Sequence, residues 1–308
     1  MIQHTTSLEP AGRPTPRLDT DRREVQVLNM DSDPYQLASK ASDQLIDIYD
    51  GRIPSTFVVL GSGWDVAIEH MGTTVEEFSA DTLIGAIGST VPGHSSSIRL
   101  IDTEDGHILV ARGRVHLYEG HDPSQVVHVL RAAIGSGPKN VILTNAAGST
   151  DPERGPGTPV LIADHLNLTG LSPMWGTIPP DGAAARFVDM TEAYSQRLLN
   201  VAREADATLT EGVYAGFHGP EFETPAEITM AKTIGATLVG MSTVLETIAA
   251  RHCGAEVLGL SLVTNFAAGM SGPLAHSDVV ETAARSGQIV GPLLADIARR
   301  VNRAADSN

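Results

Sequence analysis

Short apolar runs alternate with amphipathic segments along the chain, which is the pattern of an α/β domain. Apolar runs bounded by turn residues predict buried strands at 56–60, 108–111, 140–143, 237–241 and 257–263. Apolar positions at helical spacing predict helices over 35–50, 123–136, 191–205 and from His276 to Val301. The pattern therefore predicts one α/β domain in which helices flank a central mixed sheet.

Two predicted helix starts in the C-terminal half have polar residues beside them. Thr224–Glu227 and Thr243–Glu246 each place a Glu three residues after a Thr, the spacing of a capping box. Glu223 and Ser242 directly precede these caps, and Asn265 follows the last predicted strand. Helix starts attract anions, and ligands gather at the carboxyl ends of strands. We therefore predict a pocket in which one end binds an anion and the other end recognises the hydrogen-bond donors and acceptors of a ligand. Taken singly, each feature is more typical of an ordinary cap or turn.

Polar residues also follow two earlier predicted strands. Gly61-Ser62-Gly63 lets a backbone approach a phosphate closely, although Val66 stands where a dinucleotide-binding fingerprint needs Gly. Further on, Arg114, His116 and Tyr118 are predicted to share one face of an extended segment. The Arg guanidinium suits two phosphate oxygens, and the His and Tyr side chains suit hydroxyl groups. A solvated polar edge strand is the alternative.

Composition narrows the classes of function. The 308 residues carry a net charge of −16, which argues against binding to nucleic acid or to a membrane surface. No apolar run reaches the roughly 18 residues of a membrane helix. The single cysteine, Cys253, excludes an internal disulfide, favours a reducing compartment such as the cytoplasm, and is predicted to be buried and inert. No His-Glu-x-x-His motif or Cys-rich spacing predicts a metal site.

The first 33 residues differ in composition from the rest. They are rich in Thr, Pro and Arg and contain no long apolar run. We therefore predict a disordered N-terminal tail over 1–33 and a single domain over 34–308.

Several segments carry a resemblance to one enzyme family. They read VVLGSG, PGH, GRVHLYEG, TNAAG, GPEFETPAEI, VGMSTVLETIAARHCG and SLVTN. These segments closely resemble those of the trimeric purine nucleoside phosphorylases, and the resemblance runs from Pro34 to Val301. It implies the nucleoside phosphorylase fold, in which helices flank a mixed sheet that forms a distorted barrel.

The resemblance implies reversible phosphorolysis of purine (deoxy)nucleosides to a free base and (deoxy)ribose 1-phosphate, as in purine salvage. Inorganic phosphate is then a co-substrate, and no cofactor or metal is implied. The implied phosphate contacts are Ser62, His94, Arg114, His116, Ala146 and Ser242. The implied nucleoside contacts are Tyr118, Phe187, Phe222, Glu223, Val239, Met241, Asn265 and His276. Glu223, Asn265, His116 and His94 are implied to be catalytic. The resemblance also implies a homotrimer, in which Phe187 would reach the active site of a neighbouring subunit.

The two polar residues at the base end favour 6-oxopurines. A 6-oxopurine presents an acceptor at O6 and a donor at N1, which suit the amide of Asn265 and the carboxylate of Glu223. Adenine instead presents a donor at its 6-amino group and an acceptor at N1, which would leave buried polar groups of the protein unpaired. We therefore predict inosine and guanosine as substrates over adenosine. Methylthioadenosine phosphorylase-like activity is the alternative, because those relatives typically carry Asp where Asn265 stands.

The chain departs from the family pattern at a few positions. Ser95-Ser96 replaces Ser-Gly or Ala-Gly, which we expect to affect the backbone of the loop that carries His94. Ser149 replaces a Gly and Leu245 replaces a Pro, and we expect both to be tolerated.

Three other functions stay open at the level of sequence. A serine hydrolase would use Ser242, but Val244 stands where the nucleophile motif needs Gly. A nucleosidase would use water in place of phosphate. A non-catalytic nucleoside-binding protein would keep the fold without the reaction.

Overall fold

A nine-stranded mixed sheet forms the centre of the computed structural model, which describes residues 33–90, 95–180 and 183–305. Within these residues the strands are β1 Thr56–Leu60, β2 Thr73–Ser79, β3 Ser97–Thr103, β4 Gly106–Arg112, β5 Asn140–Ser149, β6 Pro159–Asn167, β7 Thr210–Gly216, β8 Leu238–Gly240 and β9 Glu256–Phe266. The α-helices are α1 Pro34–Tyr49, α2 Ile68–Met71, α3 Pro123–Val126, α4 His128–Gly135, α5 Gln196–Ala205, α6 Pro225–Thr233, α7 Val244–His252 and α8 His276–Ala305. The predicted tail before Asp33 lies outside the described residues.

The sheet is partly closed. Its strands run in the order β2-β3-β4-β1-β5-β8-β7-β6-β9, and β9 also pairs with β5. Strands β5 to β9 therefore close into a barrel, and β1 to β4 extend from it as an open sheet. Both directions of pairing occur, because β1 is parallel to β4 and β5 whereas β3 is antiparallel to β2 and β4. This architecture confirms the predicted mixed sheet, the distorted barrel and the single α/β domain.

Helices cover both faces of the sheet, as the side chains of β1 show. Phe57 and Val59 join the core that contains α1, α4 and α7, whereas Val58 and Leu60 join the core that contains α2, α5 and α8. Every position of β1 is buried, which explains why its sequence is a continuous apolar run rather than an alternating one. Polar groups of the central strands can therefore reach a ligand only beyond the strand ends.

Two predicted helices differ in extent from the observed ones. The expected helix over 123–136 divides at Val127, whose ψ of 6° interrupts the helical backbone between α3 and α4. The expected helix over 191–205 begins only at Gln196, because the Ser195 side chain caps its first turn and Tyr194 before it packs in the core. Periodicity alone does not detect either boundary.

Two expectations drawn from composition can be compared with the structure. Cys253 is exposed at the C-terminal cap of α7, so the prediction of a buried thiol was wrong. The helix ends at His252, and Gly254 follows the cap residue Cys253 in the left-handed conformation with a φ of +78°. In the part of the chain that the structure describes, no helix is both long and apolar enough to cross a membrane.

Candidate active site

A cavity of about 470 Å³ opens where the carboxyl ends of β1 and β5 meet β8, β9 and the start of α8. It is lined by every predicted site residue that the structure describes, with the exception of Phe187: Ser62, Arg114, His116, Tyr118, Ala146, Phe222, Glu223, Val239, Met241, Ser242, Asn265 and His276. His94 lies outside the described residues. The fold thus gathers segments that are far apart in the sequence into one site.

The loop after β1 lies directly against β5. The Gly61 N–H donates to the Thr144 hydroxyl oxygen at 2.9 Å. A Cβ at Gly61 would lie only 2.6 Å from the Thr144 carbonyl oxygen, so any side chain there would force the loop and β5 apart. The close approach places Ser62 on the cavity wall beside Ala146.

Arg114 follows the end of β4 and is held by groups from two other segments. Its Nη1 donates to the Thr144 carbonyl oxygen at 2.6 Å, and its Nε donates to Glu246 Oε1 at 2.9 Å. Both charged side chains are only 5% exposed. A guanidinium fixed in this way presents a rigid fork of N–H groups to an anion.

The predicted extended segment with Arg114, His116 and Tyr118 on one face is wrong in its backbone, although all three residues line the cavity. The strand ends at Arg112, Gly113 has a φ of +92°, and Leu117–Glu119 form a short 3-10 helix. The cause is local, because Glu119 Oε1 accepts the His116 backbone N–H at 2.7 Å and so turns the chain.

Glu119 connects this turn to the loop that precedes residue 91. Its Oε1 lies 3.3 Å from His116 Nδ1, and its Oε2 accepts from the Thr90 N–H at 2.6 Å and from the Thr90 hydroxyl at 2.8 Å. Burial opposes ionisation here, but the hydrogen bonds from His116 and Thr90 prevail and hold the pKa of Glu119 well below its ordinary value. The His116 ring stacks on Tyr118 with 4.7 Å between centroids, and burial raises the pKa of Tyr118 to about 12.

Ser242 and Thr243 form a strained turn between β8 and α7. The Val244 N–H donates to the Ser242 carbonyl oxygen at 2.7 Å, and Thr243 between them has a φ of 68° and a ψ of −45°. These values define a γ-turn of the rare type, which a β-branched residue adopts only under constraint. The Thr243 N–H donates to Glu246 Oε2 at 3.0 Å, and Asn145 Nδ2 donates to the Thr243 hydroxyl oxygen at 2.9 Å.

Glu223 and α6 form one side of the opposite end of the cavity. The predicted capping box is present, because the Thr224 N–H donates to Glu227 Oε2 at 2.7 Å and the Glu227 N–H donates to the Thr224 hydroxyl oxygen at 3.2 Å. Glu223, directly before this cap, is 8% exposed. Burial raises the pKa of its carboxyl group.

Asn265 lies near the end of β9, and its amide is oriented by neighbours. The Thr264 hydroxyl donates to Asn265 Oδ1 at 2.9 Å, and Asn265 Nδ2 donates to the Phe266 carbonyl oxygen at 2.9 Å. An amide nitrogen carries two hydrogens, so Nδ2 retains donor capacity for a ligand. A Cβ at Gly148 would lie 3.1 Å from this nitrogen, and the glycine keeps that side of the amide open.

Phe187 is 92% exposed and does not line the cavity of its own chain. Two more large apolar side chains of the same long connection are also exposed, Trp175 at 62% and Ile178 at 69%. A surface with several exposed apolar side chains is typical of a contact with another protein.

The departures from the family pattern are accommodated in different ways. Ser96 keeps a glycine-like conformation with a φ of +49°, and its Oγ accepts the Ser89 N–H at 3.0 Å. Ser149 lies buried in β5 with an ordinary backbone, and its hydroxyl donates to the Asp151 carbonyl oxygen at 2.9 Å. Leu245 packs in the core of α7.

Several lining residues were not predicted, and among them Thr90, Asn145 and Thr264 form hydrogen bonds to other residues of the site. Asn145 and Thr264 stand inside the TNAAG and SLVTN segments, so the motifs contained them, but their role is to hold Thr243 and Asn265. Among the described residues, no group of three or more His, Cys, Asp or Glu side chains is placed to hold a metal ion.

The two ends of the cavity have opposite chemistry. One end gathers a guanidinium, hydroxyl groups and a backbone segment, which suit an anion. The other end presents a buried carboxylate and an amide, which suit a flat ligand with donors and acceptors on its edge. Fold and cavity together define an α/β enzyme that can bring an anion against a nucleoside-like molecule.

Comparisons with known proteins agree with this class. The family model described as the phosphorylase superfamily matches residues 58–299, and the chain belongs to that family. A purine nucleoside phosphorylase from Cellulomonas sp is 48% identical over 275 residues, which cover 87% of this chain and 95% of that relative.

Solved structures show the same fold. Isoform 2 of purine nucleoside phosphorylase from Schistosoma mansoni, in complex with cytosine and ribose 1-phosphate, matches with a TM-score of 0.78 at 28% identity, covering 87% of this chain and 97% of that chain. A schistosoma purine nucleoside phosphorylase in complex with hypoxanthine matches with a TM-score of 0.74 at 27% identity, covering 85% of this chain and 96% of that chain. These findings confirm the resemblance read from the sequence and the nucleoside phosphorylase fold.

Proposed function

We propose that the chain catalyses reversible phosphorolysis of 6-oxopurine (deoxy)nucleosides, such as inosine and guanosine, to a free purine and (deoxy)ribose 1-phosphate. The proposal is carried by a single cavity with an anion-binding end and a base-binding end, in a chain 48% identical over 275 residues to a purine nucleoside phosphorylase. Phosphorolysis of purine nucleosides follows from that relationship. The 6-oxopurine preference follows from the chemistry of Glu223 and Asn265.

Phosphate is held at the end of the cavity that contains Ser62, Arg114, Ala146 and Ser242. The resemblance implies His116 and His94 as further phosphate contacts. A phosphate oxygen attacks C1′ of the sugar, and the bond from C1′ to the purine nitrogen breaks with its electron pair on the base. Positive charge then develops on the sugar, next to the phosphate, and negative charge develops on the purine. His116 and Tyr118, together with Met241 and His276, contact the sugar.

The purine is held by Glu223 and Asn265 while it becomes electron-rich. The carboxylate accepts from N1–H and the amide donates to O6, and both hydrogen bonds strengthen as charge moves onto the base. Phe222 and Val239 flank the ring. No metal or organic cofactor takes part, and inorganic phosphate is the second substrate.

The working form is a homotrimer in the cytoplasm, in which Phe187 of one subunit closes the nucleoside end of a neighbouring site. The exposure of Phe187, Trp175 and Ile178 supports an interface on this part of the surface.

The decisive experiment measures purine release from inosine with and without inorganic phosphate, and then from adenosine. Phosphate-dependent hypoxanthine release with weak turnover of adenosine is expected. Purine release without phosphate would make the protein a nucleosidase. Turnover of adenosine equal to that of inosine would contradict the proposed preference for 6-oxopurines. Release from no nucleoside would favour a binding protein. Labelling of Ser242 by an acyl-serine probe would favour a hydrolase.

A further inference from the structure

The anion-binding end of the cavity includes two segments that are distant in the sequence. Arg114 follows β4, and the Ser242–Thr243 turn lies between β8 and α7. One side chain contacts both segments. Glu246 Oε1 accepts from Arg114 Nε at 2.9 Å, and Glu246 Oε2 accepts from the Thr243 N–H at 3.0 Å.

A helix cap accounts for only half of this arrangement. The third residue of a helix commonly returns its carboxylate to the N-cap N–H, which explains the contact of Glu246 with Thr243. The second oxygen is directed to a guanidinium that comes from another part of the chain. Both partners of this ion pair are 5% exposed, and Glu246 does not line the main cavity.

The turn that Glu246 holds has a conformation that must be maintained by its surroundings. Thr243 has a φ of 68°, where β-branched side chains are strained. Besides Glu246, Asn145 Nδ2 donates to its hydroxyl oxygen at 2.9 Å, and the Thr247 hydroxyl donates to its carbonyl oxygen at 2.9 Å. Without these contacts the backbone would relax, and Ser242 would leave its position on the cavity wall.

We propose that Glu246 is a positioning residue for phosphate binding, which fixes the Arg114 guanidinium and the Ser242–Thr243 turn relative to each other. The proposal rests on the proposed function, because it takes the anion to be the phosphate co-substrate. A carboxylate is required, since it alone offers an acceptor oxygen to each of two N–H donors. A glutamine in its place would turn an NH₂ group toward one of them.

The test compares Glu246→Gln with the wild type for two phosphate-dependent quantities. The KM for inorganic phosphate is expected to rise by about tenfold or more, because hydrogen bonds to charged groups of this kind are worth about 1.4 kcal/mol or more each. The KM for inosine is expected to stay within about twofold. Thermal stabilisation by added phosphate provides a readout that needs no turnover, and it is expected to require correspondingly more phosphate in the variant.

Glu256→Gln is the control. Glu256 also forms an ion pair with an arginine, Arg197, and accepts from the Ser195 hydroxyl at 3.0 Å, but it lies at the opposite end of β9 and outside the cavity. This variant is expected to lower the melting temperature without changing the KM for phosphate. A purely structural role of Glu246 would produce the same result for both variants.

A folded Glu246→Gln protein with a wild-type KM for phosphate would overturn the proposal. Should that variant not fold, Glu246→Asp keeps the charge but is too short to serve both donors, and a wild-type phosphate KM in it would overturn the proposal equally. Failure of the proposed function looks different, because the wild type itself would then release no purine in the presence of phosphate.

Discussion

At the scale of single residues, Glu223 is the group whose role conflicts most with its surroundings. In the proposed function its carboxylate is ionised and accepts from N1–H of the purine, yet burial raises its pKa and so favours the protonated form. Active sites commonly retain such costs because the group is needed there. The cost should therefore be visible both in activity and in stability.

We predict that Glu223→Gln lowers kcat/KM for inosine by about 10²-fold or more and raises the melting temperature at neutral pH. The pKa of Glu223 is higher in the folded than in the unfolded protein, so the folded state binds the proton more tightly. Stability is therefore lost as pH rises from the ordinary value of 4.5 through the raised pKa, and the penalty is complete above it. Thermal unfolding of both proteins across pH 4 to 8 measures this.

The stabilisation by Glu223→Gln should vanish at the acid end of that range. Glu221→Gln, an exposed carboxylate two residues earlier, serves as the control and should change neither activity nor melting temperature. Equal stabilisation at every pH would contradict the assignment of the effect to the Glu223 carboxylate.

The proposed function assigns the choice of purine to Asn265, because of the donors and acceptors at the base end. Asn265→Asp replaces an amide donor by a carboxylate acceptor, which suits the exocyclic amino group of adenine rather than O6. We predict that the ratio of kcat/KM for guanosine to that for adenosine falls in this variant. Steady-state kinetics with both nucleosides measures the ratio, and Asn200→Asp on the exposed face of α5 is the control. An unchanged ratio would refute this role of Asn265.

Residues inside recognisable motifs could be predicted from the sequence, but the residues that orient them could not. Glu223, Asn265 and Ser242 are adjacent to caps or strand ends, so their positions are visible in the local pattern. The contacts from Asn145 to Thr243 and from Glu246 to Arg114 join segments that only the fold brings together. Local patterns contain no information about such partners.

At the scale of elements, α6 connects helix stability to the base end of the cavity. Its capping box begins at Thr224, one residue after Glu223, so the cap also fixes the backbone that carries the carboxylate. We predict that Thr224→Ala lowers the free energy of unfolding by about 1 kcal/mol and raises the KM for inosine. Urea denaturation and steady-state kinetics measure the two effects.

The control for Thr224→Ala lies on the same helix. Thr229 is exposed, and its hydroxyl donates to the Pro225 carbonyl oxygen, a bond that adds little to a helix. Thr229→Ala should therefore change the free energy of unfolding by no more than about 0.5 kcal/mol and leave the KM unchanged. If the two variants behave alike, the cap does not position Glu223.

Helices and strands were predicted well where the spacing of the hydrophobic residues alone determines their type and bounds. The strand 56–60 has the predicted bounds, and α8 begins at His276 as expected. The segment with Arg114, His116 and Tyr118 was predicted incorrectly, because Gly113 ends the extended backbone after β4 and the Glu119 side chain then turns the chain at His116. Alternation in a sequence indicates which residues can share a face of a strand. It does not indicate where a side chain, rather than a neighbouring strand, accepts a backbone hydrogen bond.

At the scale of the whole molecule, the closure of the sheet determines where the cavity lies. The long parallel ladder from β5 to β9 pairs Asn140 with Glu256 and Ser149 with Phe266, residues more than a hundred positions apart. It sets the TNAAG and SLVTN segments side by side, which no local pattern predicts. Residues of both segments line one cavity as a result of this pairing.

Phe187 is exposed and lies outside the cavity of its own chain, and the proposed function assigns it to the site of a neighbouring subunit. We predict that Phe187→Ala raises the KM for inosine. We also predict that activity returns in hybrid trimers that combine Phe187→Ala subunits with Glu223→Ala subunits. Neither Phe187→Ala nor Glu223→Ala subunits alone form a complete site. In a mixed trimer, the cavity of a Phe187→Ala subunit keeps Glu223 and can receive Phe187 from a Glu223→Ala neighbour. Co-expressed subunits should therefore be more active than the two variants assayed separately.

The control mixes two variants whose lesions lie in the same cavity, Glu223→Ala and Ser242→Ala. No arrangement of these subunits yields a site with both residues, so mixing should restore nothing. Sedimentation must show a trimer for every mixture, because only assembled subunits can share a site. A trimer in which Phe187→Ala and Glu223→Ala fail to complement each other would mean that Phe187 does not act across the interface. The exposed apolar surface around it would then serve assembly alone.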